Sequence, residues 1–464
     1  MSPSRPGPSG GGPGAPGASG DPRAPDAGGY GAPRRFWRAL DRRRPPGVAT
    51  LDRSWRSPLR GPWLTAVHGS VLLVALPLVI VTGLLDYAAY GPRFGQAFPH
   101  DVGWLRLPVF DWPTRPAWLF RVTQGLHVTL GIVLIPVVLG KLWSVIPKLF
   151  DWPPARSLAQ VLERLTLLLL VGGILFQTAT GLLNIQYAYL FGFDFYTAHY
   201  FGGWVFLGAF VAHVVLKLPR LGTALRSRPF GAELRTPVAG TRPEPPDPDD
   251  LVAARPAPAT VSRRGAVGLV GGATLLLAAL TVGQTLDGPL RRTALLLPRG
   301  RDNGPGPNGF PVNRTVAAAG VRPEETGPGW RLTLRAGGRT VTLDRPALLA
   351  MAQHTAALPI ACVEGWSTRQ TWTGVRLRDL AALVGVDSLA AARVSSLEKA
   401  GLFRTAVLAP NQVLDPDSLL ALRVNGVDLS PDHGFPARVI VPALPGVHCT
   451  KWVSDIDFQG RADG

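Results

Sequence analysis

PIACVEGWSTRQTWTGVRLRDLAALVG, residues 359–385, carries Cys362, one of only two cysteines in a chain of 464 residues, the other being Cys449. Two cysteines exclude a disulfide framework and allow at most one bridge. A lone cysteine is most often a small buried hydrophobe, the reading kept for Cys449. Cys362 is set apart by the run around it. The stretch ends in a helical piece, RLRDLAALVG (376–385), and on either side lie short alternating runs such as RLTLRAGGRTVTL (331–343) and ARVIVPAL (437–444), bounded by Gly, Pro and Asp. Alternation with period two, cut by turn residues, reads as strands. Strands mixed with short helices give an α+β domain with its motifs at strand ends and loops, expected over residues 308–464.

Upstream the pattern changes. Apolar runs occupy about residues 63–85 (WLTAVHGSVLLVALPLVIVTGLL), 117–146, 161–186, 196–218 and 265–285, each close to the ~20 residues that cross a bilayer. The chain then divides into a basic tail at 1–59, four spans in 60–222, a Pro-rich linker at 223–262, a fifth anchoring helix at 263–286, a second linker at 287–307 and the α+β domain. Gly (54 residues) and Pro (46) crowd the tail and residues 228–260. Apolar side chains there are too sparse to offset chain entropy, so both stretches are expected to be flexible.

The formal charge of +17 is carried mostly beside the apolar runs, not in one stripe with interleaved aromatics. That pattern argues against a nucleic-acid partner and for membrane topology. Arg34, Arg35, Arg38, Arg42, Arg43 and Arg44 precede the first run, and Lys217, Arg220, Arg226 and Arg228 follow the fourth. The positive-inside bias makes both flanks cytoplasmic. The connection YAYLFGFDFY (187–196) has no Lys or Arg, as an outside loop should, while Lys148 and Arg156 stand between the second and third runs. Five spans then place the N-terminus in the cytoplasm and everything after residue 286 outside, in a multi-pass cell-membrane protein with an extracellular or periplasmic C-terminal domain. Ser262-Arg263-Arg264, before the fifth run, looks like a twin-arginine export signal set inside the chain and equally like ordinary positive-inside charge.

His68, His127, His199 and His213 lie in or at the ends of the apolar runs, where a polar ring is costly and is by default a functional candidate. His199 and His213 are 14 positions apart, which on a helix leaves them facing within ~40° of one another at depths ~21 Å apart. Threading the topology pairs His68 with His213 at the cytoplasmic level and His127 with His199 at the outer level. Two stacked bis-histidine haem sites are the expectation, with a proton relay or structural polar pairs as the alternative. His100, in an outer loop, is assigned no role.

By this histidine spacing, residues 60–220 resemble the dihaem cytochrome b subunits of respiratory formate dehydrogenases and hydrogenases, which place one histidine on each of the first two helices and two on the fourth. That resemblance implies an all-α transmembrane four-helix bundle holding two b haems on His68, His127, His199 and His213. It also implies electron exchange with membrane quinone or quinol.

The opening stretch, together with VNGVDLSPDHGFPARVIVPALPGVHCTKWV (424–453), resembles the sulfite oxidase fold of molybdopterin enzymes over about residues 308–460. The wording CVEGWS, with TWTG behind it, is closer to the bacterial periplasmic protein-methionine-sulfoxide reductase branch than to true sulfite oxidases. In those a glycine-asparagine-arginine run follows the cysteine, and here Glu364, Gly365 and Trp366 stand instead, which weakens sulfite as a substrate. The resemblance implies molybdenum held by one pterin dithiolene and the Cys362 thiolate, with oxygen positions left for oxo transfer. It implies cofactor contacts from Asn313, His433, Arg438 and Lys451, although His433 stands where the reductase branch tends to carry asparagine. Trp366 and Trp372 either line or brace the cleft or are plain core.

Joined, the parts predict a membrane-bound molybdenum oxidoreductase exchanging electrons between the quinone pool and an external oxo-transfer substrate, small or protein-bound. Reduction of an S-oxide is the leading expectation. A dehydrogenase that oxidises a sulfite-like substrate and delivers electrons to quinone is the alternative, and a non-catalytic molybdopterin-fold binding module is the second. Self-association is left open.

Overall fold

Five helices long and apolar enough to cross a membrane run Pro62–Ala89 (α1), Leu119–Leu149 (α2), Gln160–Ile185 (α3), Phe195–Arg226 (α4) and Arg263–Leu286 (α5), one for each apolar run in the sequence. They come from a computed structural model that describes residues 55–94, 101–102, 105–106, 110–150, 152, 157–185, 193, 195–286, 288–296, 307–386 and 388–460. The tail through residue 54, His100, Arg156, most of the 187–196 connection and residues 297–306 of the second linker lie outside the described residues.

α1 packs on α2 and α4, α3 packs on α4, and α5 lies along α2. α2 is two helical pieces that meet at Leu134, ahead of Pro136. A proline ring lacks an N–H and clashes with the carbonyl four residues back, so the helix cannot run through unbroken. Val71, Val74, Leu78 and Val81 on α1 and Leu162, Leu165 and Leu168 on α3 are exposed apolar side chains.

The expectation of a flexible stretch over 228–260 is overturned. This segment is a strap packed across the end of the bundle that bears the N-terminus of α1. The Glu244 carboxylate accepts from the Trp63 backbone N–H at 3.1 and 3.2 Å, and the Trp63 indole donates to Arg228 O at 3.1 Å. Asp249 pairs with Lys148, Lys217 and Arg220 at 3.5, 3.4 and 2.5 Å. Acidic side chains from the strap meet the basic helix ends, so ion pairs and caps supply the order that apolar burial does not.

Arg263 belongs to the same network. It is 1% exposed, pairs with Glu233 at 3.0 Å, and donates to Arg242 O at 2.8 Å and Pro58 O at 3.3 Å. Arg264, beside it, is exposed. The two arginines of the pair therefore do different work, and Arg263 has a structural role that neither sequence reading anticipated.

The C-terminal domain is α+β, as its pattern indicates. One mixed sheet orders its strands Arg339–Leu343 (β2), Leu332–Ala336 (β1), Val453–Gly460 (β10), Leu389–Ser396 (β5) and Thr405–Leu408 (β6), with β1 and β10 parallel. The other runs Val427–Asp428 (β8), Leu419–Val424 (β7), Ser367–Arg376 (β4), His354–Ala361 (β3), with Arg438–Ile440 (β9) also on β7. Asn308 fixes the domain's leading edge by donating to Asp428 O at 3.0 Å and accepting from Ser430 N at 2.8 Å.

This domain sits on the end of the bundle opposite the strap, and one apolar core runs across the join. Ala88, Ala89 and Tyr90 at the end of α1, Trp112, and Phe120 on α2 share it with Leu358, Cys362, Val363 and Leu444. The Trp112 indole donates to Ala443 O at 2.7 Å, and Arg115 pairs with Asp415 at 3.0 Å. Arg115 is 53% exposed, so that pair contributes at most about 1 kcal/mol, and the apolar contact dominates the docking.

Arg263→Ala should leave Glu233 short of its buried partner and lower stability by about 3 kcal/mol, seen as a fall in the thermal midpoint of the detergent-solubilised protein. Arg264→Ala should shift it within the scatter of ordinary surface changes. Equal effects of the two would contradict the assignment.

Candidate functional site

Cys362 lies in the turn joining β3 to β4. Its N–H donates to Trp366 O at 2.9 Å and its carbonyl accepts from Gly365 N at 3.0 Å, a tight loop that needs Gly365 at φ +93°. The thiol is buried and in no disulfide, as is that of Cys449. The buried Glu364 carboxylate accepts from the Trp366 indole at 3.0 Å. Trp366 is thus a brace inside the loop.

Three of the four expected cofactor residues converge on the thiol. Asn313 Nδ2 approaches Cys362 Sγ at 3.7 Å. Arg438, at the start of β9, donates to Cys449 O at 3.2 Å and His433 O at 3.4 Å and lies 5.7 Å over the Trp372 ring. Burial pushes its guanidinium down to about 10, and the acidic groups that act on it are the thiols of Cys449 and Cys362. Lys451 donates to Asp432 O at 2.9 Å and to Arg314 O. Burial, and then the neighbouring Arg438, press its ammonium down to about 7. Two desolvated basic groups beside a buried thiol suit an anionic group, although Asp432 and Glu398 already act on Lys451.

His433 is different. Its Nε2–H donates to Phe310 O at 3.1 Å, and its Nδ1 accepts from the Ser430 hydroxyl at 2.8 Å. Burial holds the ring neutral, with its pKa at about 3. Both ring nitrogens find partners inside the protein, so the ring braces the 430–438 loop. Trp372 is fully buried under Arg438.

The bundle histidines fall at two levels. His127 on α2 and His199 on α4 stand with ring centroids 6.2 Å apart in a cavity of about 260 Å³ that Gly83, Gly131, Gly181 and Gly203 also line. His127 Nδ1–H donates to Val79 O at 2.9 Å. Thr180 gives its hydroxyl proton to Phe176 O at 2.7 Å and so accepts from His199 Nδ1–H at 2.9 Å. These bonds fix both tautomers and leave both Nε2 lone pairs for another partner.

At the other level both nitrogens of His68 are buried without a hydrogen-bond partner. His213 is half-buried, and the Lys141 ammonium acts electrostatically on both rings. Lys141 itself donates to Thr65 O at 2.8 Å. Small residues make room for three of the four rings: a Cβ on Gly83 would fall 2.7 Å from His127 Cε1, on Gly140 3.1 Å from His68 Cε1, and on Gly181 3.4 Å from His199 Cε1. Among the described residues no cluster of three or more His, Cys, Asp or Glu could hold a metal, so any metal in the bundle would rest on pairs of histidines.

Several participants escaped the sequence reading. Gln124, Asp86 and Val363 line the His127–His199 cavity, and Gln124 Nε2 donates to Val363 O at 2.6 Å. His448 is buried beside Tyr90, with ring centroids 5.6 Å apart. Neither the 3.6-residue nor the two-residue period reports a contact made between residues hundreds of positions apart.

Residues 319–463 match the family model described as the oxidoreductase molybdopterin binding domain. An uncharacterized oxidoreductase of Bacillus subtilis (strain 168), YuiH, is 35% identical over 123 residues, covering 25% of this chain and 61% of its own. The NADH nitrate reductase of Ulva prolifera is 40% identical over 102 residues, covering 19% of this chain and 12% of its own. The sulfite oxidase of Arabidopsis thaliana is 31% identical over 112 residues, 20% of this chain and 28% of its own. The chain thus spans about three fifths of the first of these relatives and far less of the other two. Residues 319–463 form an oxidoreductase domain of the molybdopterin-binding kind, whose relatives include sulfite oxidase and nitrate reductase.

A lysine whose folded pKa of about 7 lies below its ordinary value holds its proton in the unfolded chain and not in the folded one between about pH 7 and about 10.4. Cofactor-free protein should therefore gain stability as pH rises across that window, and Lys451→Met should lose this part of the slope. Thermal midpoints of both proteins from pH 7 to 10 test it, and parallel curves would contradict it.

Proposed function

We propose that the protein is a membrane-bound molybdenum oxidoreductase that passes electrons from quinol, through two b haems, to an external S-oxide. One observation carries the reading: Val363, bonded to Cys362, also lines the cavity of His127 and His199. The turn that carries the thiol thus reaches the cavity that carries the imidazoles.

In this reading Cys362 supplies the thiolate for a molybdopterin molybdenum, Arg438 and Lys451 meet the anionic pterin, and Asn313 steadies the sulfur. The bound molybdenum supplies oxo transfer, in which an S-oxide takes two electrons and two protons and leaves as the sulfide and water. His127 and His199 would hold one haem and His68 and His213 the other, with Lys141 as a nearby cation for an anionic group of the second. Side chains fix position and water access, and the cofactors supply the redox chemistry. The strap and the basic ends of α2 and α4 then lie at the cytoplasmic end and the domain outside, in keeping with the positive-inside bias.

His199→Ala should remove one haem, halve the b-type absorbance and leave the molybdenum in place. In membranes with reduced haems, methionine sulfoxide should reoxidise them in the native protein and not in Cys362→Ala. If sulfoxide leaves the haems reduced while sulfite reduces oxidised haems, electrons run from molybdenum to quinone and the dehydrogenase reading replaces this one.

A further inference from the structure

The two cofactor sites need an electron path, and among the described residues hydrogen bonds from two of the long helices reach the Cys362–Ser367 turn. One comes from α2. Gln124 lies three positions before His127 on the same helix, is buried, and donates to Val363 O at 2.6 Å. The other comes from the α5 end: Thr285 Oγ1 donates to Gly365 O at 2.9 Å, and Ser367 Oγ donates to Thr285 O at 2.9 Å. α5 carries no histidine, so these bonds dock the loop without leading to a ligand.

We infer that the Gln124–Val363 hydrogen bond is the electron bridge between the outer haem and the molybdenum. This rests on the function proposed above. The path runs from His127 along one turn of α2 to the Gln124 amide, across the hydrogen bond to the Val363 carbonyl, and through one peptide unit to Cys362. Electrons tunnel more readily through bonded and hydrogen-bonded atoms than across a van der Waals gap. A short bond between two buried dipoles is also held firmly in a low-dielectric junction, so the path does not open with each fluctuation. Gln124 acts here as a positioning residue, single electrons cross it one at a time, and no bond is made or broken.

The test uses full-length holoprotein. Gln124→Met keeps the side chain's length and removes its donor. Its molybdenum content and its sulfoxide reduction driven by a soluble viologen dye, both read at the molybdenum site, should match the native protein, while reoxidation of prereduced haems by methionine sulfoxide, followed by stopped flow and normalised to the haem the variant retains, should slow by about an order of magnitude. Thr285→Val, which removes a docking bond off the path, should keep the native rate. Gln124→Glu gives a second reading: its protonated carboxyl can donate to Val363 and its carboxylate cannot, so transfer should slow as pH rises, more steeply than in the native protein. An unchanged rate in Gln124→Met, equal slowing in Thr285→Val, or a native pH profile in Gln124→Glu each overturns the bridge. Native haems that sulfoxide fails to reoxidise overturn the proposed function itself, so the two failures are told apart.

Discussion

The turn Cys362–Trp366 has to satisfy two domains at once, and most of the architecture follows from that constraint. Its inner side presents the thiol to Asn313, Arg438 and Lys451, and its outer side lies on the bundle. A Cβ at Gly365 would fall 2.8 Å from Gln284 Nε2 and 2.9 Å from Val128 Cγ1, so only glycine lets the turn come so close. The left-handed φ there and the absent side chain answer the same demand. The close approach makes Val363 part of the histidine cavity, and the shared core of Tyr90, Trp112 and Phe120 with the domain keeps it so.

The opposite end of the bundle is held by charge. Glu233, Glu244 and Asp249 reach from the strap to Arg263, the N-terminus of α1 and the basic ends of α2 and α4. Buried or half-buried pairs of this kind contribute more to fixing one arrangement than to net stability, since desolvation offsets much of their attraction. The molecule thus has an apolar, closely fitted end beside the thiol and an ionic end at the strap, with the histidines stacked between them.

The elements with strong local periodicity were legible in the sequence. Five apolar runs became five helices with boundaries within a few residues, apart from α4, which continues through Pro219 to Arg226. The thiol motif and the convergence of Asn313, Arg438 and Lys451 on it were legible from the wording of the chain. The bracing by His433 was not legible, because a motif position says where a loop passes and not which way a ring's nitrogens are satisfied; Ser430 and Phe310 take both. The strap was misread because Pro-rich, acidic sequence looks unstructured until its carboxylates meet cations from other segments. Gln124, Trp112 and His448 gave no signal, since their partners lie far away along the chain and their own surroundings are ordinary helix or loop.

The account joins an oxo-transfer centre and two haems in one polypeptide, and the most direct measurement is the cofactor content of the purified full-length protein. Molybdenum by mass spectrometry and haem by its pyridine complex should stand at one and two per chain. Molybdenum without haem would leave the bundle's histidines as structural pairs, and haem without molybdenum would leave Cys362 a buried thiol; either result would contradict the account.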